Sequence, residues 1–425
     1  MPILNRIAEY HPDLTAWRRD LHAHPEIAYQ EFRTSDFVAA KLAEWGIEVH
    51  RGLGGTGVVG TLRGSHAPEG AKTIAPEGAK TIAPEGAKTI APEGAKTIAP
   101  EGAKTIGLRA DMDALPMQEE NDFAHRSTVP GKMHACGHDG HTTMLLGAAR
   151  YLAETRNFAG TVHFIFQPAE EGGAGARKMI EDGLFDRFPC DEVYGMHNWP
   201  EMPAGTIGVR PGAMMASADL FEVKILGRGG HGAMPHHTVD PVVVAAHTVT
   251  ALQALVSRNA NPLENAVVSV TMIHSGSAFN VIPNEATIGG TVRTFQEGAR
   301  DMLEAGISRI ASNVAEAFGA TAEINYRRNY PVTLNSPEQA EFAAGIAADL
   351  VGEERVHREF NPSMGAEDFA FMLQQRPGAY VWIGQSGGPS GCMVHNPRYD
   401  FNDEILPLGA SYWARLVERA MPKAA

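Results

Sequence analysis

The chain has 425 residues, 44% of them apolar and 20% charged, and a formal net charge of −14 at pH 7. That size suits two domains with separate cores in an ordinary soluble globular protein, and the acidic balance argues against nucleic acid, which needs clustered Lys and Arg. Three scattered cysteines, Cys136, Cys190 and Cys392, make no disulfide framework, and no uncharged apolar run reaches the ~18 residues of a membrane span. Residues 1–20 carry Arg6, Glu9, Asp13, Arg18, Arg19 and Asp20 and lack the apolar stretch of a signal peptide. A cytoplasmic protein without membrane contact is the expectation.

Leu14, Trp17 and Leu21, then Phe37, Val38, Leu42 and Trp45, recur at helical spacing and predict two helices, the second closed by Gly46. Residues 58–62 read as a strand. The octapeptide Ala-Pro-Glu-Gly-Ala-Lys-Thr-Ile then occurs five times in tandem, at 67–74, 75–82, 83–90, 91–98 and 99–106. Eight residues fall short of the 20–50 of a solenoid unit. A unit with Pro, Gly and one large apolar side chain builds no core of its own. The array is expected to be a surface loop, extended or disordered, rather than a β-like stack of its isoleucines. One copy is enough for a hairpin-length connection. The other four read as an in-frame duplication, tolerated because loop-closure entropy grows slowly with length.

Residues 106–113 read as a strand ending in Asp111 and Asp113. A helix over 142–154 follows, then a buried strand, 161–166, that delivers Gln167-Pro168-Ala169-Glu170-Glu171. A helix from 177 to 182, closed by Gly183, leads to a strand over 192–197 ending in His197. Alternating strands and helices with polar residues at strand ends describe an α/β sheet and its ligand-binding edge. From about residue 214 polar and apolar residues alternate instead. Strands at 219–225, 267–274, 286–294 and 321–327, with helices around 240–257 and 298–318, give a β-α-β-β-α-β order and a compact α+β unit. Residues 334–425 return to helix–strand alternation, including a strand over 379–384. The predicted layout is a catalytic domain at 1–213, with the repeat loop at 67–106, an inserted domain at 214–328, and the catalytic domain resumed at 329–425.

The densest chemistry lies at 134–141, His-Ala-Cys-Gly-His-Asp-Gly-His. One thiol, three imidazoles and a carboxylate in one short loop are the side chains that bind zinc, manganese, cobalt or nickel, and the glycines let the backbone turn tightly. Further donors stand at other strand ends, Glu170-Glu171 and His197, and near the C-terminus in the segment beginning at His395. Widely separated donors are expected of a two-metal site.

Six segments carry a resemblance. Leu-Arg-Ala-Asp-Met-Asp-Ala-Leu-Pro at 108–116, the 134–141 cluster, Gln-Pro-Ala-Glu-Glu at 167–171, Gly-Met-His-Asn-Trp at 195–199, Gly-Ala-Glu-Asp-Phe at 365–369 and His-Asn-Pro at 395–397 stand in the order of the M20 peptidase family. They resemble its amidohydrolase branch of hippurate hydrolases, N-acyl-amino-acid deacylases and indole-acetyl-amino-acid hydrolases. The resemblance spans the chain apart from four repeat copies. It implies an α/β catalytic domain of the phosphorylase/hydrolase-like zinc-exopeptidase type, with an inserted α+β, ferredoxin-like lid and dimerisation domain. It also implies two divalent ions, Mn, Zn, Ni or Co, on Cys136, His138, Glu171, His197 and His395. Glu170 becomes the general base, Asp111 the carboxylate that holds a ligand imidazole in its tautomer, and His231 a donor to the oxyanion. Asn280 and Arg293 become the groups that hold the substrate's carboxylate. The implied activity is hydrolysis of N-acyl or N-aroyl amino acids, hippurate first, by a homodimer or higher homo-oligomer. The alternatives are an N-acetyl-amino-acid deacetylase, such as one for N-acetyldiaminopimelate, and a dipeptidase or carboxypeptidase. A catalytically dead metal-binding scaffold is disfavoured by the intact Glu170.

The remaining candidates have plainer expected jobs. His134 and His141 support the loop, His22 and His24 cap or pack, His236 and His237 lie on the surface or a lid, and Cys190 and Cys392 have no ligand role. For Glu367 a substrate-side and a structural role are equally open.

Overall fold

The computed structural model describes residues 4–65, 73–74, 96–97, 104–386 and 391–423. The expected surface loop of octapeptides lies almost wholly outside the described residues. Within it, Thr73 pairs with Thr97 and Ile74 with Lys96 in one antiparallel backbone ladder. The fifth copy ends inside the fold, because its Thr105 and Ile106 open the buried strand Thr105–Asp111.

The described chain divides into two compact units: residues 1–212, 334–360 and 371–425, and residues 213–333 with 361–370. The first is built on an eight-stranded sheet. Its centre is four parallel strands in the order Thr161–Gln167, Thr105–Asp111, Glu192–Pro203 and Gly378–Ser386. The antiparallel hairpin Glu48–Leu53 and Gly57–Arg63 extends one side, and the short strands Ile207–Gly208 and Val356–His357 extend the other. Every residue of Thr105–Asp111 and Thr161–Gln167 is buried, as expected of parallel strands covered on both faces. The two strands that flank the octapeptide array are not neighbours, since Thr161–Gln167 lies between them. The array therefore joins strands across an intervening position, and the hairpin-length connection expected from sequence does not close a hairpin.

The core of this unit gathers Leu14, Leu42, Phe158, Phe164, Tyr412 and Trp413 around the sheet. Helix His11–Ala23 and helix Phe32–Glu44 match the two apolar periodicities, and Gly46 closes the second at φ +71°. Helix His138–Thr155 is buried over most of its length.

The second unit has strands Ser217–Leu226, Ala266–Ser275, Glu285–Thr294 and Thr321–Tyr330 and helices Pro241–Ala254 and Glu297–Ala317. All strand pairs are antiparallel. In chain order the four strands stand 2-3-1-4 across the sheet, the ferredoxin-like arrangement. Buried Arg300 forks onto Asp219, Nη2 to Oδ1 at 2.6 Å and Nε to Oδ2 at 2.8 Å, and the Tyr326 hydroxyl donates to Asp219 Oδ2 at 2.8 Å. Among the described residues, no helix is long and apolar enough to cross a membrane.

Candidate metal centre

The 134–141 cluster is split by its fold. Gly137 ends the loop at φ +97°, and His138 is the first residue of the helix His138–Thr155. A Cβ at position 137 would collide with Asn198 Oδ1 and stand 2.7 Å from Tyr399 Oη. Both the left-handed backbone and the space demand glycine. His138 and His141, three apart, then share one helix face, with ring centroids 5.4 Å apart.

Three strands of the first unit meet this helix start, two by their ends and one by its middle. The strand Thr105–Asp111 brings Asp111 and, just beyond it, Asp113. Thr161–Gln167 delivers Glu170 and Glu171, and His197 lies within Glu192–Pro203, which does not end at His197 as expected but runs on to Pro203, beyond its pairing with Thr105–Asp111. In a parallel sheet these ends lie on one side, which is why distant motifs converge. The fifth segment arrives from the C-terminal part. His395 takes a left-handed φ of +63°, and its N–H donates to Ala135 O at 2.7 Å.

Donor atoms of Cys136, His138 and His197 lie within 4.8 Å of one another, as do those of Cys136, Glu171 and His395, and those of His138, Glu170 and Glu171. Cys136 Sγ stands 3.3 Å from His197 Nε2, and His395 Nε2 lies 3.1 Å from Glu171 Oε1. All five ligand candidates and Glu170 thus sit in one unit, and Cys136 is common to two of the triads. The carboxylate nearest His138 Nδ1 is that of Asp113, at 3.3 Å. Asp111 instead accepts from His141 Nδ1 at 2.7 Å and from Arg109 Nη1 at 2.6 Å, with His138 Nε2 at 3.7 Å. His141 Nε2 accepts from Asn198 N at 3.0 Å. His231 and Asn280 are neighbours in the second unit, where Gly232 N donates to Asn280 O at 2.8 Å, and both are exposed. Arg293 lies on the four-stranded sheet and donates to Thr291 Oγ1 and to Val292 O.

Asp113, Asn198 and Arg109 were not singled out from sequence. Asp113 had a signal: it alternates with Asp111 at a strand end, so both can face one site. Asn198 and Arg109 had none, because each acts through a contact made only in the fold. His22, expected to cap or pack, is buried with Nδ1 2.9 Å from Asp139 and Nε2 3.2 Å from Glu119, so its packing is also a charge pairing.

The electrostatics are those of a site short of positive charge. Burial opposes ionisation of Asp111, yet Arg109, His138 and His141 hold its carboxyl well below the usual range. Burial likewise opposes a charged His138, but Asp111, Asp113 and Glu171 outweigh it and push the imidazole up to about 10. Burial, with the carboxylates of Glu171 and Glu170, pushes the Cys136 thiol well up. Burial and the neighbouring His141 hold His197 far below the usual imidazole range, hence neutral. His197 Nδ1–H donates to Asn198 O at 2.7 Å, which leaves the Nε2 lone pair facing Cys136.

These residues fit divalent metal ions. Among the described residues, neither ring nitrogen of His138 nor Glu171 Oε1 has an aligned hydrogen-bond partner, although all three are buried. Buried polar atoms left in this state are costly unless something satisfies them. A dication would supply the positive charge the carboxylates require, displacing the protons of Cys136 and His138. Soft thiolate, imidazole and carboxylate together suit the borderline transition metals.

Residues 107–419 match Peptidase family M20/M25/M40. The chain belongs to this family. It is 39% identical to the hippurate hydrolase of Campylobacter jejuni over 416 residues, 98% of each chain. It is 39% identical to the N-acetylcysteine deacetylase of Bacillus subtilis over 409 residues, 96% of each. Among solved structures, a Bacillus subtilis protein described as a dinuclear metal binding peptidase of family M20 superposes with a TM-score of 0.78 at 35% identity, covering 97% of this chain and 99% of that one. This M20 protein is accordingly an amidohydrolase with an α/β catalytic unit.

Proposed function

We propose that this M20 enzyme hydrolyses the amide of N-acyl and N-aroyl amino acids, with benzoylglycine, cleaved to benzoate and glycine, as the preferred substrate. The observation that carries the reading is the convergence of buried Cys136, His138, His197 and Glu170 with half-buried Glu171 and exposed His395 in one cluster of a single unit. The choice of an aroyl substrate is supported by the likeness to the Campylobacter hippurate hydrolase over nearly the whole of both chains.

Bound to those five residues, two divalent ions, Mn, Zn, Ni or Co, would polarise the amide carbonyl and acidify a water. Glu170 takes the proton released at attack and returns it to the leaving nitrogen. Asp111 is the proposed carboxylate that holds an imidazole of the centre in its tautomer, a part supported by its contact with His141 Nδ1. His231 is the proposed N–H donor to the developing oxyanion, and Asn280 and Arg293 the proposed holders of the substrate's carboxylate. The insert at 214–328 is proposed as lid and dimerisation domain of a cytoplasmic homodimer. Supporting a dimer, Ala266–Ser275 is an edge strand of its sheet, with Met272 49% and Ile273 58% exposed, a surface that a second copy would cover.

Metal-loaded protein offered a mixture of hippurate, N-acetyl-amino acids and dipeptides, followed by mass spectrometry, is the test. Hippurate is expected to be consumed first. Preference for N-acetyl-amino acids would shift the reading to a deacetylase, and preference for dipeptides to an exopeptidase.

A further inference from the structure

The turn from Gln167 to Gly175 carries both Glu170 and Glu171, and its backbone is strained. Ala169 and Ala174 both take a left-handed φ of +55° without being glycine. L-residues persist there only where the surroundings over-determine them. Here three successive N–H groups are gripped by two carboxylates. Glu170 N donates to Asp113 Oδ1 at 2.9 Å and Glu171 N to Asp113 Oδ2 at 3.0 Å. Ala169 N donates to Glu31 Oε1 at 2.9 Å.

Glu31 is fully buried and comes from a distant part of the chain, 138 residues before Ala169. Its Oε1 also accepts from Tyr29 N at 3.0 Å, and its Oε2 from Thr56 Oγ1 at 2.6 Å. It stands immediately before the helix Phe32–Glu44, where Ser35 N donates to Glu31 O at 2.9 Å. Glu26 accepts from Arg33 N and Thr34 N in the same helix turn. The Tyr29 hydroxyl reaches the far side of the strained turn and donates to Gly173 O at 2.7 Å. The segment leading into this helix therefore holds the turn at two points, Glu31 at Ala169 and Tyr29 at Gly173. All of the partners of Glu31 are neutral donors. Burial, with the charge of Asp113 adding to it, pushes its carboxyl up to about 7.

We infer that Glu31 is a positioning residue of the metal centre: through Ala169 N–H it holds the left-handed turn that sets Glu170 and Glu171 in place. The inference rests on the roles proposed above for those two glutamates. It predicts that an acceptor oxygen at position 31 matters and that its negative charge does not. Glu31→Gln keeps a carbonyl for Tyr29 and Ala169 and can donate to Thr56. Glu31→Ala leaves a buried N–H without an acceptor.

The test uses the full chain loaded with cobalt, reading metal affinity from the thiolate–cobalt absorption, together with kcat and KM on the preferred acyl amino acid. Loss of such supporting groups typically costs about 10–100-fold in metal affinity or activity. Glu31→Ala is expected to weaken cobalt binding at least about tenfold and to lower kcat by about 10–100-fold with KM within about threefold. Glu31→Gln is expected within about threefold of the parent on all readouts. Thr56→Val, which frees Oε2 but leaves Ala169 N–H paired, is likewise expected within about threefold of the parent, and with the glutamine variant it decides the matter if the alanine variant does not fold. An alanine variant equal to the parent would overturn the inference, as would a glutamine variant or a Thr56→Val protein that loses about tenfold or more in affinity and kcat. A parent that binds cobalt but hydrolyses no acyl amino acid sinks the proposed substrate class alone, and the affinities still decide for or against Glu31. A parent that binds no divalent ion sinks both.

Discussion

The segment at 134–141 and the turn at 167–175 supply donors to one candidate metal centre by opposite means. The first is crowded with donors, and its shape is local: Gly137 breaks the loop, and a helix starting at His138 sets the imidazoles. The second offers only Glu170 and Glu171, and its shape is imposed from outside by Asp113, Glu31 and Tyr29. Side-chain chemistry can thus be written densely into a few residues. Backbone strain at a functional turn needs acceptors from segments far away in the chain.

Four changes would break or sharpen that contrast. The largest effect is expected on the turn's chemistry without touching its shape. Glu170→Gln should lower kcat by about 10²–10⁴-fold, the range for a lost general base, while metal content by elemental analysis stays at the parental level. Unchanged turnover would remove Glu170 as base.

Next is the local shape of the other segment. Gly137→Ala places a Cβ against Asn198 Oδ1 and forces an L-residue into φ +97°. It should cost about 2–4 kcal/mol in urea unfolding, the sum of left-handed strain and overpacking. It should also cut metal affinity at least about tenfold. A variant with parental affinity would show that the helix start does not depend on that glycine.

Third comes the charge pairing of His22 with Asp139 in the first turn of the helix His138–Thr155. Burial opposes a charged His22, but its hydrogen bonds to Asp139 and Glu119 outweigh both burial and Arg18, pushing the imidazole up to about 9 from an ordinary value of 6.5. A pKa raised in the folded state contributes stability that is complete below pH 6.5 and is lost as pH rises through 9. The stability of metal-free parent should therefore exceed that of His22→Gln by an amount that shrinks on the order of 3 kcal/mol between pH 6 and 9.5. A pH-independent gap would show that the pairing carries no charge.

The smallest effect belongs to the octapeptides. Removing four copies should leave activity within about threefold and the melting temperature within a few degrees, since long loop insertions change closure entropy little. Loss of folding would make the array a structural element.

Much of this protein is legible in its sequence. Helical periodicity located His11–Ala23 and Phe32–Glu44, and continuous apolar runs located the parallel strands. Alternation located the strands of the insert, because burial on one face or two writes a different period into a strand. Some boundaries slipped where local signals were silent. The helix expected from residue 142 begins at His138, since glycine at 137 and ligand-type residues in the first turn look like loop. The strands on either side of the octapeptides are not neighbours, because pairing partners are chosen by the sheet and not by the connecting segment.

Family, fold class and donor-bearing segments follow from the chain alone because each rests on residue types at short spacing. The assignment of work among the carboxylates does not. Asp111 and Asp113 are two residues apart and chemically alike, yet one holds His141 while the other faces His138 and grips the Glu170–Glu171 backbone. Glu31 looks like any polar residue at a helix start until folding brings Ala169 to it. Hydrogen bonds and left-handed turns depend on atoms within about 3 Å, and only the packed chain brings Glu31 to Ala169 and Asp113 to Glu170 that closely.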